Sequence, residues 1–114
     1  MKGQPFIRRL SFALNGMRLA FRRESSLRFH AVAGAAVLLT LWITASSALW
    51  WALAGVTIGL VITAELFNTA LETLADRLHP EQHPEIGAAK DIAAGAVLAT
   101  VLAAIFVAAA FILR

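Results

Sequence analysis

The sequence predicts an all-α membrane protein, with an N-terminal amphipathic interfacial helix followed by three transmembrane helices. Two observations carry this prediction. The chain has 114 residues, 60% of them hydrophobic, and its mean hydropathy is +0.75. Phe29 to Ala64 and Ile92 to Leu113 contain no Asp, Glu, Lys or Arg. A helix of about 20 such residues crosses a bilayer. The length allows one domain, residues 1–114.

The first element, about residues 5–24, has Phe6, Ile7, Leu10, Ala13, Leu14, Met17 and Phe21 at three- and four-residue spacing, with Arg8, Asn15, Arg18 and Arg22 broadly opposite. That is the pattern of a helix lying in the headgroup layer. The pI near 10.7 therefore points to a membrane surface, and no nucleic-acid partner is expected. A secretory signal with TASSA (44–48) as its cleavage site is a poor reading, because the charged region before the apolar run is too long.

The first uncharged stretch is too long for one crossing and divides at a reversal near Thr44 to Ala48. The spans are expected at about 28–46, at 48–65 with a helical extension to about Leu78, and at 92–113. Trp42, Trp50 and Trp51 cluster at the reversal, as amphipathic rings do at an interface. Nine of the ten Lys and Arg residues flank the spans on the other side, and only Arg114 does not. The positive-inside rule makes that side cytoplasmic, with the N-terminus inside. Gly55 and Gly59 form a GxxxG, and the third span is rich in alanine. Small residues permit close packing in lipid, and three short helices are expected to self-associate.

Chemistry is expected on the segment from Ala64 to Arg77. At about 100° per residue, Glu65, Asn68, Glu72 and Asp76 share one stripe. A carboxylate at the edge of the hydrocarbon layer costs up to about 3 kcal/mol. Partial removal from water also makes a carboxylate a better proton acceptor, so Glu65 is read as a base toward a substrate hydroxyl. The structural alternative is a carboxylate bonded to a neighbouring helix. Glu72 could help bind magnesium. Glu24 is the nearest second ligand, although spacing alone reads it as a salt-bridge partner of Arg28.

Residues 79–91, HPEQHPEIGAAKD, read as a polar cytoplasmic loop. His79, Glu81, His83 and Glu85 are metal ligands by type, but Pro80 and Pro84 break their alignment. Lys90 and Asp91 are expected to open the third helix, where a cation and the helix N-terminus hold phosphate together. P-loop and dinucleotide fingerprints are absent, as is cysteine, which excludes thiol catalysis.

ELFNTALETLADR, AAKDIAAGAVL and SFALNGMRLAFRRE give the chain a resemblance to the bacterial integral-membrane diacylglycerol kinase and undecaprenol kinase family. The likeness covers nearly the whole chain. It implies a homotrimer in the bacterial cytoplasmic (inner) membrane, with cytoplasmic active sites built between subunits and ATP bound with Mg2+. By motif, Glu65 matches the catalytic base, and Glu24 and Glu72 match the carboxylates that hold the metal. Lys90, Asp91, Asn68 and Asp76, with Glu81 and His83 on the loop, match the ATP-binding positions. Arg28 and His30, beside Glu65, are expected at the lipid alcohol. His30 stands where the diacylglycerol branch is acidic, Ala94 where it has a hydroxyl residue, and Pro5 where it has a basic one. RFH and KDIAAG look like undecaprenol kinases, and both lipids stay open. The rival class is a noncatalytic channel or transporter subunit with Glu65 as its ion or proton site.

Overall fold

The computed structural model describes residues 2–114, so the Met1 end of the 1–114 domain lies outside the described residues. Four helices follow in order: α1 (Phe6–Arg23), α2 (Ser25–Ile43), α3 (Ala48–Leu78) and α4 (Pro84–Leu113). The last three are long and apolar enough to cross a membrane. At about 1.5 Å per residue α2 is about 28 Å long, close to the hydrocarbon thickness, whereas α3 and α4 are each about 45 Å long and must project beyond it.

A single residue separates α1 from α2. Glu24 is extended (φ −111°, ψ 112°), and the two helices turn about it. Such a break leaves carbonyl oxygens at the end of α1 without helical partners. Arg28, one turn into α2, supplies them: one guanidinium nitrogen donates to the carbonyls of Phe21 (2.7 Å) and Arg22 (2.8 Å). The spacing-based salt bridge between Glu24 and Arg28 is not formed among the described residues. The carbonyls win because their orphaned acceptors lie within the arginine's reach.

At the opposite end α2 closes in a Schellman motif, with the N–H of Ser46 donating to the Leu41 carbonyl (3.0 Å) and that of Ala45 to Trp42 (3.2 Å). Ala45 takes a left-handed conformation, φ 50°, where glycine is usual. The first span therefore lies a few residues earlier than the 28–46 expected, set by the break at Glu24 and this cap. Trp42 and Trp51 are exposed at the turn, and Trp50 packs edge-on against Phe111 of α4, with ring centroids 5.2 Å apart.

The third helix also begins earlier than expected. Residues 79–91 are not one loop: α4 starts at Pro84 and leaves only 79–83 outside helix. Proline suits the first helical position because its missing N–H would lack a partner there anyway. His83 caps the end, its Nδ1 accepting from the Glu85 N–H (3.1 Å), and Glu85 places negative charge in the first turn. Lys90 and Asp91 consequently lie almost two turns inside α4, about 9 Å from its start, and do not open it.

One face of α3, carrying Ala54, Thr57, Val61, Glu65 and Thr69, is buried. Gly34 of α2 allows close approach to this helix: a Cβ there would meet Ile58 Cγ2 at 3.3 Å. The GxxxG glycines do no such work within the chain, since a Cβ on Gly55 or Gly59 would meet nothing within 4 Å. α4 buries no residue completely.

A left-handed L-residue is strained by roughly 1–2 kcal/mol relative to glycine. Replacement of Ala45 by glycine should therefore raise stability by about 1 kcal/mol, read as a higher midpoint of thermal unfolding in detergent micelles. A lowered midpoint would show that the turn is not capped in this way.

Candidate active site

Glu65 stands about 25 Å along α3 from its first residue, so in a bilayer it lies near the edge of the hydrocarbon opposite the Ala45 turn. It is 2% exposed, and α2 encloses it. The Ser26 hydroxyl donates to its Oε2 (3.1 Å). His30 Nδ1 lies 2.8 Å from its Oε1. The imidazole contact is close but oblique, because the ring N–H direction misses the carboxylate. Ser26 and His30 are one helical turn apart, so a single face of α2 contacts both carboxylate oxygens. The structural alternative read from the sequence, a carboxylate bonded to a neighbouring helix, describes this contact.

Beyond Glu65 the acidic stripe opens progressively. Asn68 and Glu72 are half-buried and Asp76 is exposed. The Asn68 Oδ1 is buried without a hydrogen-bond partner, facing a groove between α3 and α4 that Leu71 and Ala93 also line. Lys90 of α4 pairs with Asp76, and the charge of Glu72 also acts on it.

Asp76 and Lys90 form one wall of a polar hollow of about 590 Å³ between the end of α3 and the start of α4, which Glu81 and His83 also line. Four of the residues expected at ATP thus meet in one cavity. Asp91 is exposed and outside the hollow's lining, and Asn68 lines the neighbouring groove. His79 and His83 stack edge to face, 5.5 Å between centroids. No group of three His, Asp or Glu side chains able to hold a metal occurs among the described residues.

Glu24 and Glu72 are both half-buried, and neither has an ion-pair partner among the described residues. Two partly desolvated acids that make no direct ion pair, Glu72 lying within the field of Lys90, are oxygen donors of the type magnesium takes. Two ligands do not fill its coordination, so phosphate oxygens, water or another subunit would complete the set. Arg28 is committed to the α1 carbonyls.

Sequence reading missed Ser26. Its signal was present: a carboxylate buried among apolar helices needs donors, and Ser26 and His30, four residues apart at the mouth of the first span, are the pair able to supply them.

Together these features define a small multi-span membrane protein with a sealed carboxylate at one end of its apolar helices and a polar, charged hollow nearby. The chain belongs to the family described as prokaryotic diacylglycerol kinase, which matches residues 11–112. It is 37% identical over 92 residues to the undecaprenol kinase of Bacillus subtilis (strain 168), covering 81% of this chain and 75% of that protein. It is 36% identical over 97 residues to a diacylglycerol kinase of Synechocystis, covering 84% of this chain and 55% of that one. The diacylglycerol kinase of Escherichia coli (strain K12) is 31% identical over 100 residues, covering 87% of this chain and 81% of that one. The protein is therefore a membrane lipid kinase, and the transporter reading loses its ground.

If Arg28 holds the elbow, replacing it with alanine should lower stability by about 1 kcal/mol, the scale of an exposed hydrogen-bond pair. Trypsin should also cut faster after Arg22 and Arg23. Unchanged cleavage at both would show that the elbow is held by something else.

Proposed function

We propose that the protein transfers the terminal phosphate of ATP, bound with magnesium, to the hydroxyl of a membrane lipid alcohol. The observation that carries this reading is the Glu65 carboxylate, which already accepts an O–H from Ser26 at 3.1 Å at the depth where a lipid hydroxyl resides. A lipid hydroxyl making the same contact would be held for deprotonation.

Phosphoryl transfer asks little covalent chemistry of a protein, only positioning and offset of charge on the phosphate oxygens. Glu65 takes the proton of the lipid hydroxyl, whose oxygen attacks the terminal phosphorus in line as ADP departs. Lys90, Asp76, Glu81 and His83, which share the polar hollow, orient the nucleotide, assisted by Asn68 and Asp91. Glu24 and Glu72 would hold the magnesium, which when bound offsets phosphate charge. His30, beside Glu65, would lie next to the lipid hydroxyl, while Arg28, whose guanidinium is held by the α1 carbonyls, would act there only by fixing the start of α2.

The excess of basic residues at the elbow end of the helices supports an active site facing the cytoplasm, in the inner membrane of a bacterium. Exposed Phe6, Ile7, Leu14 and Met17 on α1 favour a place for that helix in the headgroup layer. Self-association is favoured by the open faces of Gly55 and Gly59 and by the unburied α4; that the assembly is a homotrimer rests on the family resemblance. The relatives act by name on undecaprenol or diacylglycerol. His30 and Ala94 resemble the undecaprenol kinases more than the diacylglycerol branch, so both lipids are offered in the test.

The test offers each lipid separately, in mixed micelles with ATP and magnesium, to purified wild type and Glu65→Gln. Wild type should phosphorylate at least one lipid, and the variant should lose about 100-fold or more, the usual contribution of a general base. No transfer to either lipid by folded wild type, or full activity of Glu65→Gln, would overturn this reading.

A further inference from the structure

We propose that His30 is the exit by which the substrate's proton leaves Glu65, making it a positioning and proton-relay residue. The inference rests on the kinase reading and concerns a step that reading leaves open. Each turnover breaks one lipid O–H bond. The proton joins a Glu65 oxygen, the electron pair stays on the lipid oxygen and forms the new O–P bond, and ADP leaves with the electrons of the old one. One proton per cycle must then leave Glu65, or the base is spent.

The Glu65 side chain is only 3% exposed, whereas that of His30 is 20% exposed. Part of the imidazole therefore faces water, although its Nδ1 is itself buried, while the carboxylate is almost fully enclosed. The two touch at 2.8 Å. No other titratable side chain makes a hydrogen bond or ion pair with Glu65 among the described residues: α2 adds the Ser26 hydroxyl, the Thr69 hydroxyl of α3 turns to the Glu65 backbone carbonyl (2.8 Å), and α1 and α4 contribute no such partner. A serine hydroxyl does not take up an extra proton in water near neutral pH, whereas imidazole is the side chain that can both gain and lose one there. The oblique ring geometry fits a group that swings into line to take the proton and away to release it. A neutral His30 with its proton on Nε2 takes the Glu65 proton at the Nδ1 lone pair, which restores the carboxylate, and releases the Nε2 proton to interfacial water, since Nδ1 itself is buried.

The experiment uses full-length protein in mixed micelles and measures kcat and lipid KM across pH for wild type, His30→Ala and His30→Gln. Glutamine keeps hydrogen-bonding capacity but cannot carry a proton. Both variants should lose about 10- to 100-fold in kcat, a larger factor than any change in lipid KM, and their pH profiles should differ in shape from that of wild type. Added imidazole should restore His30→Ala and leave Glu65→Gln inactive. Loss confined to KM, or a kcat loss that neither changes the pH profile nor responds to imidazole, would overturn the proposal. Should either variant fold poorly, the imidazole ¹⁵N resonance of His30 should move in Glu65→Gln while those of His79 and His83 stay. An unmoved resonance would refute the contact. Inactive wild type would strike the kinase reading instead, and active wild type with unaltered His30 variants would strike only this inference.

Discussion

A carboxylate held inside apolar helices is the constraint around which this chain is arranged. At the edge of a hydrocarbon layer Glu65 costs up to about 3 kcal/mol unless it is partnered. Two α2 side chains one turn apart supply the partners, and they reach Glu65 only because α2 begins at Ser25, immediately beyond the break at Glu24. Shifting the start of that helix by one residue would rotate Ser26 and His30 by about 100° and leave the acid unpartnered. The Arg28 contact to the end of α1 thus bears on Glu65 as well: it holds the elbow from which α2 starts.

Helix length sets the remaining geometry. The 19 residues of α2 nearly match the apolar layer, while α3 and α4, with 31 and 30 residues, extend beyond it at the same end. Along that extension α3 passes from sealed Glu65 through half-buried Glu72 to exposed Asp76, and the start of α4 folds back beside it to enclose the hollow. One straight helix therefore carries groups suited to a lipid hydroxyl at one depth and to a water-borne phosphate donor at another. Little further scaffold is required for a reaction that proceeds largely by alignment and charge offset.

Uncharged runs exposed the three spans in the sequence because no other fold tolerates them, and helical periodicity alone aligned Glu65 with Glu72 and Asp76. The start of α4 was harder to read. Two prolines and a glycine resemble a loop until His83 is seen to cap the helix and Pro84 to occupy its first position. Reading Arg28 as the partner of Glu24 failed for a related reason: side-chain spacing was visible, whereas the orphaned carbonyls at the end of α1 were not. His30 stood out in the sequence for its departure from the diacylglycerol branch, yet its contact with Glu65, 35 positions away in the chain, belongs to helix packing that local pattern does not encode.

The most direct measurement is an experimental structure of the protein in lipid with magnesium, a non-hydrolysable ATP analogue and the lipid alcohol it phosphorylates. The account predicts the lipid hydroxyl within about 3 Å of the Glu65 carboxylate, in hydrogen-bond reach of its base, and the terminal phosphate between that hydroxyl and the Lys90 hollow. A hydroxyl bound away from Glu65, with the carboxylate still closed by Ser26 and His30, would contradict it.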